Sequence, residues 1–377
     1  RLSRPVKLEL ATEGPMKLYE RLIRPGLFLF PAERAHALGK RVLSMEWPWR
    51  TLSNRFQVND SRLRTVVAGL RLQSPIGLAA GFDKDADALP GLSHLGFGSI
   101  TVGTIMPKPR AGNSAPRMFR RPRDMAIVDH LGLPSKGLDP ALRNLRLHDE
   151  SRPPEGPAII ASVGGFTIDE VLFSHQAVEP WVDAVEVGLT CPNVGDKGAF
   201  NEMEGIVQAV QRLTAERRKP IFLVLPQPIS KETWKRTVAM AGVAAEFGIE
   251  GVTAGGGVRV SESRLAGGRG GISGKPVFDN TLRIVRKLRS AMDDRLALKV
   301  AGGVTDGERA FHLLEAGASM VSFLTALVYL GPAAASRIQR GLVRKMEQTG
   351  VNSVREFQTR SARPQAEPKI DGNALIG

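Results

Sequence analysis

The sequence predicts an α/β fold: a (β/α)8 TIM barrel carrying an N-terminal two-helix extension. Three observations predict it. Eight short apolar runs of β type follow one another from about residue 60 onward. Amphipathic helical stretches lie between most of them, such as 204–218, 231–247 and 305–318. The segments just beyond the runs are rich in Gly, Pro, Thr and Ser, which suits close approach of backbone to a ligand. Near-continuous apolar strands alternating with helices indicate a parallel sheet covered on both faces. Eight such units in about 280 residues fit a closed barrel. The competing doubly wound sheet lacks a GxGxxG turn after its first strand.

Composition narrows the class. The chain has 377 residues, is 42% hydrophobic and holds one cysteine. That apolar fraction is too high for a disordered chain. One cysteine cannot staple a secreted scaffold or build a Cys-rich zinc site. No run of 18 apolar residues exists, so no ordinary transmembrane helix is expected. The formal charge of +14 suits nucleic acid, anionic lipid or an anionic ligand. Nucleic acid is the weakest of these, because no binding motif occurs and only 6% of residues are aromatic.

Residues 1–15 show no sustained period and read as an extension, with Met16 as a natural start. Residues 16–50 form a helical foot. Leu18, Leu22 and Ile23, then Leu27 to Phe30, surround Arg21 and Arg24. Pro25-Gly26 is expected to break this stretch, and Pro31 to open the second helix. The foot reads either as a cap packed on the barrel or as an interfacial membrane foot. Trp47 and Trp49 would sit at the bilayer boundary or close the cap.

The barrel is placed at 51–348. Its strands are read at 76–80, 99–103, 158–163, 184–189, 221–225, 251–254, 296–301 and 320–324. A C-terminal tail, 349–377, follows, of which 361–377 reads as poorly ordered. Barrel ligands bind where strands run out into loops. The seventh loop, AGGVTDGE (301–308), and the eighth, LTALVYLGP (324–332), are those that commonly hold a phosphate. Gly302, Gly303 and Thr325 are the candidates, against a reading as ordinary tight turns. Cys191 lies beyond strand four and would be a base or nucleophile if its pKa is lowered, or else an inert small residue. Lys84 lies beyond strand one and either binds a carboxylate or pairs with Asp83 or Asp85. No His pair or carboxylate cluster has metal-ligand spacing, so no metal is expected.

These residues carry a resemblance. The block SPIGLAAGFDKDADALPGLSHLGFGSITVGTIMPKPRAGNSAPRMFR (74–120) closely resembles the first barrel segment of the dihydroorotate dehydrogenase family. The similarity continues through DHLGLPSKGLD (129–139), LTCPN (189–193), GGISGKPVFD (270–279) and AGGVTDGERAFHLLEAGAS (301–319). RPGLFLFPAERAH (24–36) looks like the helical foot of the quinone-linked, membrane-associated class. The resemblance covers about residues 16–348 in order.

It implies an FMN-dependent oxidoreductase of pyrimidine biosynthesis. Dihydroorotate would become orotate, with ubiquinone or another quinone as acceptor. Peripheral attachment follows, to the cytoplasmic face of a bacterial inner membrane or to the mitochondrial inner membrane. By position, Cys191 matches the base and Lys84 the lysine that holds the orotate carboxylate. Asn193 matches a substrate amide contact. Ala79, Ala80, Gly81 and Thr104 match flavin-neighbouring positions. Gly271, Gly302, Gly303 and Thr325 match the flavin and phosphate loops. Quinone-linked members usually carry Ser at the base position, so Cys191 joins one class's foot to the other's base.

Other positions depart from the pattern. The motif read roughly as Asn-Arg-Met-Gly-Phe-Asn-Asn is Asp129 to Ser135 here, without its asparagines. The strand-three asparagine falls at about Ser162, and that before the base at Gly188. The strand-six Thr-Asn-Thr is Gly255-Gly256-Gly257. The strand-five lysine falls on Val224, and the Tyr before the phosphate-loop Thr is Leu324. These changes keep a second expectation open: a relative acting as a binding or scaffold protein, or on another substrate.

Overall fold

The computed structural model describes residues 18–153, 155–189, 200, 202–255 and 257–357. Eight parallel strands close into one barrel in chain order: Ile76–Leu78, Ser99–Ile105, Ala158–Gly164, Ala184–Gly188, Ile221–Val224, Gly251–Gly255, Ala297–Ala301 and Met320–Phe323. All eight lie on the runs read from sequence. Strand one pairs with both strand two and strand eight, which closes the ring. The strands are buried almost throughout, as parallel strands covered by helices must be. Helices such as Met203–Glu216 and Lys231–Glu246 lay their apolar stripes on the outside.

The two barrel ends differ. A hairpin, Thr65–Val67 with Leu70–Leu72, packs Val67, Leu70 and Leu72 against Ala184, Phe222 and Met320, near the starts of their strands. That end is plugged. At the other end, excursions after strands two and six combine into one antiparallel sheet. Its order is Val258–Ser261, Arg269–Gly274, Ala126–Asp129 and Met118–Arg121. This sheet sets Gly271 opposite Asp129.

The foot corrects the sequence reading in two places. Pro25-Gly26 does not break the first helix. A π turn, Tyr19–Ile23, runs straight into Arg24–Phe28. The Arg24 N–H bonds to the Tyr19 carbonyl five residues back. The widened turn makes room for a ring that would clash with the carbonyl four residues earlier. Second, the foot has a third helix after Ala32–Leu43. EWPWR opens Glu46–Phe56, with Pro48 in the first turn, where backbone N–H groups have no helical partner.

The foot docks over the open end. Tyr19 donates to the Val328 carbonyl at 2.7 Å, and Arg24 to the Tyr329 carbonyl at 2.9 Å. Arg120 lies over the Phe28 ring at 4.3 Å. The two tryptophans divide: Trp49 donates to the Val42 carbonyl at 3.0 Å, while Trp47 is 70% exposed. Past the last helix, Ala334–Thr349, the first part of the expected tail is packed. Val351, Val354 and Phe357 are buried, and Phe357 meets Phe311 edge-on at 5.1 Å. Residues 358–377 lie outside the described residues.

Candidate active site

One cavity of about 670 Å³ fills the space between foot and barrel mouth. Its polar end is built by turns that follow barrel strands. Ala79, Ala80 and Gly81 come from the loop after strand one, Gly302 and Gly303 from that after strand seven, and Leu324 and Thr325 from that after strand eight. Gly303 has φ 77° and backs directly onto the Phe278 backbone, so only glycine fits there. Ser273 and Thr325 hydroxyls lie 2.9 Å apart on the same wall. Ser322 also lines it, with a buried hydroxyl that has no hydrogen-bond partner. The other end is apolar, walled by Ile23, Leu27, Phe28, Leu38 and Val42 of the foot.

The loop after strand seven turns its glycines, and not a helix N-terminus, to the cavity. The helix it opens, Gly307–Glu315, is capped by the Asp306 side chain, which accepts from the Arg309 N–H at 2.9 Å. A carboxylate already occupies that N-terminus, so the preceding glycine turn is what reaches the cavity.

Lys84 stands at the junction of two cavities. It lines the main one and a more open one of about 570 Å³, shared with Lys40, Arg110, Arg117 and Lys136. Its neighbouring carboxylates are engaged elsewhere. Asp83 accepts the N–H groups of Asp87 and Ala88 and lies 3.0 Å from Lys40. Asp85 accepts the Lys136 N–H at 3.0 Å. Lys84 itself donates to the Gly81 carbonyl at 2.6 Å. Burial pushes its pKa down, and Asp129 opposes the fall. Asp129 lines the same cavity, with its own pKa raised by burial against the pull of Lys84. His36 is held down at about 4 by burial and then by Lys84 and Lys40, so it is neutral at pH 7.

Of the residues singled out from sequence, Ala79, Ala80, Gly81, Lys84, Gly302, Gly303 and Thr325 come together on this one cavity. Thr104 and Gly271 lie outside its described wall. The Thr104 hydroxyl is 3.3 Å from that of Ser162. Gly271 sits in the antiparallel sheet two residues before Ser273, which does reach the wall. Cys191 and Asn193 lie outside the described residues. Sequence reasoning missed Ser273 and Ser322, whose only signal was a small polar residue in a run otherwise apolar or glycine-rich. Among the described residues no group of three or more His, Cys, Asp and Glu side chains could hold a metal ion.

The family described as dihydroorotate dehydrogenase matches residues 62–346. A dihydroorotate dehydrogenase (quinone) from Chelativorans sp. (strain BNC1) is 31% identical over 373 residues, covering 93% of this chain and 99% of that protein. One from Roseiflexus castenholzii is 33% identical over 351 residues, covering 88% and 94%. The crystal structure of an Eimeria tenella DHODH in complex with ferulenol superposes with a TM-score of 0.75 at 25% identity, covering 88% of this chain and 96% of that one.

Proposed function

The chain belongs to the dihydroorotate dehydrogenase family, and from that premise we propose that it oxidises dihydroorotate to orotate, with FMN as cofactor and a membrane quinone as acceptor. The observation that carries the reading is the single cavity joining the glycine loops and Lys84 to the apolar underside of the foot. The residues suit FMN. The Gly302–Gly303 turn lines the cavity with backbone alone, the Ser322 hydroxyl awaits a partner, and the volume is that of a cofactor site.

When bound, FMN would supply a hydride acceptor for the substrate and a two-electron donor for the quinone. The chain's own residues do the rest. The Lys84 ammonium, short of water, gains from a substrate carboxylate and fixes its orientation. The basic lining of the second cavity draws an anionic substrate toward it. Cys191, matched by position to the base, takes the C5 proton as the C5–C6 double bond forms. Asn193 would hold an amide of the ring. Ile23, Leu27 and Phe28 keep water from the far end and admit an apolar quinone, which leaves as quinol after taking up two protons.

The outer face of the foot supports peripheral attachment to a membrane. Leu22 is 67% and Leu29 86% exposed, with Arg21 and Arg41 also exposed. No helix among the described residues is long and apolar enough to cross a bilayer.

The test is a spectrum. Purified protein should show flavin absorbance near about 450 nm, bleached by dihydroorotate and restored by a soluble quinone. Absence of that absorbance after added FMN would overturn the reading. One observation favours a second reading, a relative that holds flavin but acts on another substrate. Asp129 places a carboxylate near Lys84, where it competes with that of orotate. Flavin bleached by no amount of dihydroorotate would select it.

A further inference from the structure

The barrel interior one layer below the cavity is polar, where barrels of this kind pack branched aliphatic side chains. Ser162, Glu186, Thr253 and Lys299 each stand two residues before the end of their strand, at Gly164, Gly188, Gly255 and Ala301. Side chains two apart on a strand share a face. Ala301 lines the cavity, so Lys299 points into the barrel directly beneath it. Lys299 Nζ lies 2.7 Å from Glu186 Oε2 and 2.7 Å from Thr101 Oγ1. Thr253 donates to the same Glu186 oxygen at 2.7 Å. The Ser162 hydroxyl also bonds to Glu186, and it lies 3.3 Å from that of Thr104.

The Lys299 and Glu186 side chains are 1% and 4% exposed. Burial alone would raise the Glu186 pKa. Lys299 and the hydroxyls outweigh it and hold the group below the usual range, as a carboxylate. A pair this deep stabilises a fold no better than aliphatic side chains of the same volume. It does create a directed field. Thr253 and Ser162, which bond to Glu186, belong to the layer just under the mouth, and Ser162 leads on to half-buried Thr104. Thr101, the second partner of Lys299, is fully buried and four residues before the end of its strand at Ile105. Both charges stand in the layer beneath the mouth, so each acts on the cavity above it with its own sign.

We propose that the Glu186–Lys299 pair is the electrostatic element that sets how readily the flavin accepts electron density. Glu186 opposes negative charge on the ring above it, and Lys299 offsets that opposition. The proposal rests on the FMN reading of the cavity. Ser162 and Thr253 are the positioning residues that fix the carboxylate.

Sulfite is the probe, because it adds reversibly to oxidised flavin and binds more tightly where negative charge on the ring is favoured. Its dissociation constant is read from the loss of flavin absorbance, independently of turnover. Glu186→Gln should tighten sulfite binding about tenfold, the effect of one unit charge roughly 10 Å away at an effective dielectric constant near 20. Lys299→Met should weaken it by a similar factor, and the double variant should return close to wild type. Where Lys299→Met does not fold, Glu186→Gln compared with the double variant carries the test. Wild-type protein without flavin overturns both this proposal and the FMN reading. Flavin-bound Glu186→Gln with sulfite affinity within twofold of wild type overturns this proposal alone. A purely structural pair would shift the urea midpoint and leave sulfite affinity unchanged.

Discussion

Lys40 reaches from the second foot helix to Asp83, its Nζ 3.0 Å from the carboxylate. The contact ties the foot to the loop that carries Lys84. Asp83 is wholly buried, so removing its cation leaves the carboxylate only the Asp87 and Ala88 N–H groups or drives it to take a proton. Lys40→Met should cost about 3 kcal/mol in urea unfolding. It should also expose the foot helices to limited proteolysis before the barrel is cut. Unchanged cleavage order would show that the foot is held by its apolar contacts alone.

The same carboxylate gives a pH signature. Burial pushes Asp83 up to about 6, with Lys40 opposing. In the unfolded chain the group titrates near about 4. The folded state therefore binds the proton more tightly between these values. Asp83 contributes stability below about pH 4 and loses it as pH rises through about 6. Asp83→Asn has no such group to ionise. From pH 4 to pH 7 its stability should improve relative to wild type by about 2 kcal/mol. Paired unfolding curves at the two pH values measure this, and a constant difference would contradict it.

Lys84 is read as a substrate contact and not as a support for the flavin. Lys84→Met should retain flavin absorbance while KM for dihydroorotate rises about 10- to 100-fold, the value of a charge-assisted hydrogen bond. Loss of flavin together with activity would place Lys84 in the frame of the site instead.

The exposed apolar face of the foot makes a separable prediction. Replacing Leu22, Leu29 and Trp47 with Ser should cut co-sedimentation with anionic vesicles at least about tenfold. Reduction of a soluble dye should persist, because none of the three lines the cavity. Equal sedimentation would return the foot to a cap without a membrane role.

Cys191→Ala should slow bleaching of the flavin by dihydroorotate by about 10²- to 10⁴-fold without altering the resting spectrum. Cys191→Ser should act more slowly than wild type near neutral pH, because a hydroxyl is harder to ionise than a thiol. Bleaching at the wild-type rate in the Ala variant would remove Cys191 from the reaction.

The barrel was legible in the chain because its cause is local. Runs such as 158–163 and 320–324 are buried on both faces, and that requirement writes itself as unbroken apolar sequence. The glycine turns were legible for a similar reason, since positive φ and close approach leave few alternatives to glycine. The π turn before Pro25 was not legible. Proline reports that a helical hydrogen bond is lost, but not whether a wider turn will absorb it. The antiparallel sheet over the mouth joins excursions more than a hundred residues apart, and nothing in either excursion names the other.

By itself, the sequence determined the strand count, the loops that line the cavity and the family to which the chain belongs. Only the tertiary structure decided which charges meet. Lys299 and Glu186 each stand alone in an apolar run, 113 positions apart. Lys84 sits between two aspartates that turned out to serve Lys40 and Lys136. Burial of an apolar side chain is favourable against almost any apolar neighbour, so its pattern is readable residue by residue. A buried charge is tolerated only beside one particular partner, and barrel closure is what brings that partner within reach.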